Sequence, residues 1–378
     1  MGVASRKLVD RDWEDVQAWL PPNLEDLALS SGAIQRRRSI RTGREMLRLA
    51  LAYSLLDFSL RSVSAWMAGA GLGQMSDVAV LKRLKAAAPF LQALLQEMLN
   101  RRIGNPASAD LPLKVRLIDA TTVSEPGSTG TDWRLHTGYD PVAGRIDSVD
   151  LTDVHGGEHL ERADVMPGEL IVGDRGYAHA ERILAVREAG AHVLVRIGHS
   201  SIRLFDANGV QVDPLAFALR ARSGPGRPVR VESRPVWIHG AQGDQIPARL
   251  VVVRKSREAA ERERRKLRNE GKRKGKQPGE RTLKAAAFTF LLTTVEEGQI
   301  QDIALAELYR VRWQIELAFK RLKSLMGLDA LRAKDPLLAR TYLLAKMIAA
   351  VLMETIADRC RAISPWGVPL LRQAQPLA

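Results

Sequence analysis

Five short apolar runs between Val115 and Arg196 commit the middle of this chain to a sheet. Val115-Arg116-Leu117-Ile118-Asp119 reads as a strand that ends in a carboxylate. Trp133 to Tyr139 and Arg145 to Leu151 read as two more, joined by the turn Asp140-Pro141-Val142-Ala143-Gly144, since Pro and Gly punctuate reversals. Leu170-Ile171-Val172-Gly173-Asp174 is a fourth, again closed by an Asp. A helix from His179 to Glu188 and a strand from His192 to Arg196 follow. A three-strand meander followed by alternating helix and strand predicts a mixed α/β sheet with helices packed on it.

Upstream the texture differs. From about Asp10 to Ile103 apolar residues recur at three- and four-residue steps, the helical period, and a break follows at Gly104-Asn105-Pro106. The segment Ser59 to Trp66 leads into Gly69-Ala70-Gly71, after which Ser76-Asp77 caps a helix over Val78 to Lys85. Helix, glycine break and capped basic helix outline a helix-turn-helix. Lys82, Arg83 and Lys85 would then face DNA. A plain helical bundle gives the same outline.

Between Ile197 and about Leu292 come strand-like pieces at Ile202 to Phe205, Val229 to Ile238 and Ala248 to Val253, with a Gly/Pro turn region at Ser223 to Pro228. An intensely charged run, Arg254 to Arg281, reads as a solvated helix running into a loop, and its basic excess suits a DNA backbone. The strand Phe288 to Thr293 returns the chain to the sheet.

Charge narrows the partners. Lys and Arg number 57 against 43 acidic residues, a net charge of +14 that favours a polyanion, because each cation placed at a phosphate releases condensed counterions. A solubility device is the bland alternative. Cys360 is the only cysteine, which excludes an intramolecular disulfide and a cysteine zinc site and fits a reducing cytoplasm. The first residues lack the apolar core of a signal peptide. The most apolar stretch, Leu343 to Ile356, is interrupted by Lys346 and Glu354 and reads as a buried helix rather than a membrane span.

A long amphipathic helix is expected from Gln301 to about Leu325. Tyr309, Arg312, Glu316, Lys320 and Lys323 fall on it within an arc of roughly 80° at helical periodicity. Leu308, Val311, Ile315, Phe319 and Leu322 form the neighbouring apolar stripe that can anchor it. Surface salt bridges explain such i,i+4 pairs equally well when the helix is taken alone. Asp119 and Asp174, each at a strand end, add two carboxylates. Like charges held together require a shared proton or a cation. Oxygen ligands from Asp119, Asp174 and Glu316 suit Mg²⁺, and two ions about 3.5–4 Å apart can drive in-line phosphoryl displacement. Arg312, Lys320 and Lys323 would hold phosphates, with Tyr309 donating a hydrogen bond.

Here the chain resembles the bacterial insertion-sequence transposases of the DDE class that carry a Y-R-E-K signature, the cut-and-paste group akin to insertion sequence four. Tyr309, Arg312, Glu316 and Lys323 match that signature, Tyr-x2-Arg-x3-Glu-x6-Lys. Asp174-Arg175-Gly176-Tyr177 matches the second-aspartate motif, and Leu117 to Thr122 resembles the first-aspartate strand. The stretches Ser76 to Leu84 and Asp132 to His136 resemble relatives as well. The resemblance implies an RNase H-like catalytic core over 106–197 and 293–335, interrupted by a β-rich insertion domain at 198–292 that holds the basic segment. It also implies a helical N-terminal DNA-binding domain (1–105) and a helical C-terminal region (336–378) whose tail from Ser364 is short for the family. Two Mg²⁺ ions (Mn²⁺ as substitute) would serve cleavage in a dimeric complex with double-stranded terminal inverted repeats and target DNA, on the bacterial nucleoid. By the same resemblance Arg175 contacts DNA, and Trp237 is the candidate to stack on a flipped base, although a core Trp on a strand fits Trp237 too. The alternatives are another RNase H-like nuclease, against which the basic segment and the Tyr309–Lys323 helix argue, and a transposase-derived DNA-binding protein that no longer cuts, against which the three carboxylates argue.

Overall fold

The computed structural model describes residues 13–35, 37–56, 58–102, 112–220, 231–241, 243–329 and 331–362. The breaks expected at Gly104-Asn105-Pro106 and at Ser223 to Pro228, and the tail from Ser364, lie outside them. The helical periodicity upstream resolves into α1 (Leu24–Ser30), α2 (Gly43–Leu55), α3 (Leu60–Gly69), α4 (Asp77–Ala86) and α5 (Ala88–Asn100). Helices α2, α3 and α4 each start where a hydroxyl accepts a first-turn N–H: Thr42 from Glu45, Ser59 from Ser62, Ser76 from Ala79. At α2 the Glu45 side chain accepts from the Thr42 N–H in return, a reciprocal cap that contributes about 1 kcal/mol. Between α3 and α4, Gly71 takes φ +75°, a left-handed turn that a side chain would strain.

The sheet region opens with β1 (Lys114–Val123), β2 (Trp133–Asp140), β3 (Arg145–Asp153), β4 (Glu169–Gly173), α6 (Ala180–Glu188) and β5 (His192–Ile197). After it come β6 (Leu204–Phe205), β7 (Gln211–Val212), α7 (Pro214–Arg220), β8 (Val231–His239) and β9 (Gln245–Arg254). The charged run forms α8 (Arg257–Arg273) and ends in α9 (Glu280–Ala285), before β10 (Phe288–Thr293). Helices α10 (Asp302–Val311), α11 (Trp313–Met326) and α12 (Pro336–Ala362) close the described chain.

All ten strands join one sheet in the order β3-β2-β1-β4-β5-β10-β9-β8-β6-β7. The first three are antiparallel, β4 and β5 add in parallel, and β10, β9 and β8 continue antiparallel. The strands within the segment expected as a β-rich insertion at 198–292 lie in this same sheet, β10 pairing with β5 on one side and β9 on the other.

Both sheet faces are covered. Along β1, Leu117 enters one core and Ile118 the other, the alternation a sheet between two layers requires. The first core runs without interruption from the N-terminal helices through Leu135, Val172 and Leu194 of the sheet into α12. Helix α12 packs against α2, α4 and α5, and the helix passes the length and hydropathy test for a membrane span while 78% of that stretch is buried inside the protein. Core burial explains its apolar composition.

Arg102, just beyond α5, ties these layers together. Its guanidinium donates to Glu354 Oε2 at 2.7 Å, Thr355 Oγ1 at 2.6 Å, the Ile146 carbonyl at 3.1 Å and the Val351 carbonyl. Burial pushes the Glu354 carboxyl up, and Arg102 opposes that. Arg102→Ala leaves a buried carboxylate without its counter-charge and is expected to lower stability by about 3–5 kcal/mol, read from the urea midpoint.

Candidate active site

Register brings the two aspartates together. The last parallel pair of β1 and β4 is Leu117 opposite Val172. Side chains alternate along a strand, so Asp119 and Asp174, each two residues further on, fall on one face beyond that pair. Asp174 keeps an extended backbone and accepts the Gly176 N–H at 2.7 Å, opening a short 3-10 turn over Arg175–Tyr177. The sequence ends the first strand at Asp119, whereas the structure carries β1 on to Val123. The reason is β2: Asp119 to Val123 pair with Thr137 to Trp133 after the ladder to β4 has stopped.

The expected single helix over Gln301 to Leu325 is broken at Arg312. There the Arg312 N–H donates to the Tyr309 carbonyl at 3.2 Å and the Ile315 N–H to the Arg312 carbonyl at 3.2 Å, the three-residue spacing of a tight turn. Helix α10 packs on β5, β8 and β9, and α11 on β1 and α12. Two helices follow these separate surfaces of a twisted sheet where one straight helix would leave it.

Arg312 lies at that break and joins the first and third carboxylates. Its Nη1 donates to Asp119 Oδ2 at 3.1 Å, and its Nη2 donates to Glu316 Oε1. The guanidinium stands 5.9 Å from the centre of the Tyr309 ring, within cation–π range. Burial, above all, pushes the Asp119 carboxyl up to about 6; the Ala120 N–H and Arg312 oppose this, while Asp174 and Glu316 add to it. Burial also raises the Tyr309 phenol, against the charges of Arg312 and Arg196. Tyr177, buried beside the aspartates, is raised by burial and then by Asp119, Glu158 and Asp174. Both phenols keep their protons and remain donors.

Sequence reasoning misses Glu158. Its carboxyl is raised by burial and then by the charge of Asp174, so it belongs to the same electrostatic cluster. It packs so close to the Asp-Arg-Gly-Tyr turn that a Cβ on Gly176 would come within 2.1 Å of its Oε2. The available signal is Gly156-Gly157 just ahead of it, and a Cβ on Gly156 would strike Thr152 at 2.0 Å.

The other expected residues separate into two groups. Lys320 is exposed and Lys323 half-buried on α11, and neither forms an ion pair among the described residues; Arg175 is exposed beside Asp174. Trp237 is half-buried on β8, four strands from β4, which is roughly 19 Å across a sheet. It is not brought to the carboxylates. On α4, Lys82 is exposed, Arg83 donates to the Ala33 carbonyl at 3.2 Å, and Lys85 pairs with Asp335 at 2.6 Å. Among the described residues no three His, Cys, Asp or Glu side chains stand close enough to ligate one ion, since Arg312 lies between Asp119 and Glu316.

The sheet therefore carries two aspartates on one face beyond its last parallel pair, with a glutamate of α11 joined to the first of them through Arg312. Residues 110–352 match the family described as "Transposase DDE domain". A putative transposase, InsL, of insertion sequence element IS186A from Escherichia coli (strain K12) is 37% identical over 348 residues, which is 91% of this chain and 94% of InsL. The transposase for insertion sequence element IS421 of Escherichia coli is 37% identical over 349 residues, with the same coverage. The transposase for IS231F of Bacillus thuringiensis subsp. israelensis is 23% identical over 396 residues. Among solved structures, a piggyBac transposase synaptic complex with hairpin DNA aligns to 92% of this chain and 73% of its own, with a TM-score of 0.46 and 9% identity. This chain belongs to the DDE-domain transposase family.

The charge on Asp119 has a measurable consequence. Its folded pKa lies above the ordinary 3.8, so the protonated form favours folding, and that advantage is present below pH 3.8 and lost as pH rises through about 6. At neutral pH the ionised carboxyl costs on the order of 3 kcal/mol. Asp119→Asn should therefore melt higher than the parent at pH 7.5 in chelator, and the gap should close toward pH 4. Equal gaps at both pH values would remove the buried charge as the cause.

Proposed function

We propose that this chain is the transposase of a bacterial insertion sequence, which binds the element's terminal inverted repeats, cuts the DNA there and joins the end to a target by phosphoryl transfer. One observation carries the reading: Asp119 and Asp174 share a register past the β1–β4 ladder, and Arg312 holds Glu316 to the same cluster. The strand order β3-β2-β1-β4-β5, three antiparallel and two parallel, supports an RNase H-like core. The match of Tyr309, Arg312, Glu316 and Lys323 to the Y-R-E-K signature supports that subgroup.

The donor set fits a hard divalent cation. A buried carboxylate pushed up by burial and by two acidic neighbours gains from added positive charge, and all its potential ligands are oxygens. Asp119, Asp174 and Glu316 would hold Mg²⁺, or Mn²⁺ in its place. Two such ions, when bound, supply activation of the attacking oxygen and stabilisation of the leaving one. Arg312 bridges Asp119 and Glu316, and on leaving them it offers a bidentate fork to a DNA phosphate. Lys320 and Lys323, without an ion pair among the described residues, hold the strand further along, and Tyr309 donates its phenolic hydrogen. Tyr177 keeps a neutral donor beside the carboxylates. Helices α3 and α4, with exposed Lys82, read the terminal repeat, and Trp237 offers an indole face to an unstacked base. The active species is a dimer on double-stranded DNA, at work in the bacterial cytoplasm.

Asp119→Ala, Asp174→Ala and Glu316→Ala should each abolish cleavage of the element's own ends while gel shifts keep most of the binding, because affinity comes from phosphate contacts elsewhere. Full cleavage by the Glu316→Ala protein would take Glu316 out of the site.

Arg312 and Lys323 test the clamp. Lys323 has no ion pair among the described residues, so its removal should shift stability by under about 1 kcal/mol, and if neither cation touches DNA both variants should cleave at wild-type rates. As a clamp, Arg312→Ala or Lys323→Ala should slow single-turnover cleavage about a hundredfold through misplacement of the scissile phosphate. Wild-type rates in both would leave the clamp without support.

A further inference from the structure

Beside the carboxylates, on the Asp174 side, an open groove runs between the end of β5 and helix α8. Arg175, Arg196 and Lys255 line it, with Leu267 and Phe290 as apolar wall and floor and Glu263 as the facing acid. Arg175 directly follows Asp174, and Arg196 is near enough to Tyr309 for its charge to act on the phenol, so the groove adjoins the carboxylate cluster. Arg196 and Lys255 are both half-buried. None of the three cations forms an ion pair or a side-chain hydrogen bond among the described residues. Burial lowers the Lys255 pKa, Glu263 opposes this, and Arg196 lowers it further. Three cations drawn together against one acid, in a groove that partly desolvates them, are uncompensated by the protein itself.

We propose that Arg175, Arg196 and Lys255 form a phosphate-binding track for the DNA strand that leaves the active site past Asp174. The inference rests on the transposase reading and adds to it a path for the DNA. Charge complementarity selects the occupant: closely spaced cations at one side of an apolar wall suit successive backbone phosphates. Arg196 and Lys255 are positioning residues that hold the strand, and they touch no reacting atom. Helix α8 then forms one bank of the track, which gives the long charged segment between β9 and β10 a role in holding DNA.

The test uses the full chain and duplex DNA carrying the element's own end. Arg196→Gln combined with Lys255→Gln should make the slope of log K against log salt shallower by about 2, since each lost phosphate contact removes roughly 0.9. Single-turnover cleavage should fall, and an unrelated duplex should show the same change in slope, because backbone contacts carry no sequence information. Glu263→Gln should act in the opposite direction and tighten binding, a readout that survives if the double variant folds poorly. Wild-type affinity and slope in the double variant, or unchanged binding by Glu263→Gln, overturns the track. Absence of cleavage by the wild-type protein overturns the transposase reading, while a shallower slope in the double variant would still uphold the groove.

Discussion

Parallel pairing of β1 with β4 stops at Leu117 and Val172, and the position of that stop decides which side chains meet at the strand ends. Below it, Arg116 and Lys114 of β1 share Glu169 of β4, at 2.8 Å and 3.0 Å, and Arg116 also pairs with Asp147 of β3 at 3.1 Å. Arg116, Glu169 and Asp147 are buried, so shifting β4 by one residue would strand charges in the interior and turn Val172 out of its core. The buried ion pairs contribute registry more than net stability. Above the stop, the same registry delivers Asp119 and Asp174 to one face.

The site is then balanced by cations of two kinds. Arg312 belongs to the carboxylates, lying between Asp119 and Glu316 with Tyr309 behind it. Lys320, Lys323, Arg175, Arg196 and Lys255 form no ion pair among the described residues. A surface that spends its acids inside the site and leaves cations around it presents a positive rim to an anionic polymer. That local arrangement, more than the net charge of +14, is what favours DNA.

Much of this was legible in the residues. Strong alternation and turn chemistry placed β2, β3, β4 and β5 within a residue or two, and the Ser76 cap marked the start of α4. Motif spacing singled out Asp119, Asp174 and Glu316, though only β-register shows why the two aspartates meet. Three features escaped for physical reasons. The end of β1 depended on which neighbour a strand keeps, and β2 holds Asp119 to Val123 after β4 has let go. The break at Arg312 came from two packing surfaces, which periodicity along one segment cannot register. Glu158, Arg196 and Lys255 lie far from the motifs in sequence and reach the cluster only through loops and sheet order.

Helix α12 packs among the N-terminal helices, yet it is the last described element to leave the ribosome. Arg102 finds its partner Glu354 252 residues further along the chain. During synthesis α2, α4 and α5 therefore carry exposed apolar faces until almost the whole polypeptide exists. Contacts so distant in sequence make folding slow and late. An emerging chain of this kind has no finished N-terminal half to release, so premature termination yields substrates for chaperones and proteases and no folded N-terminal fragment.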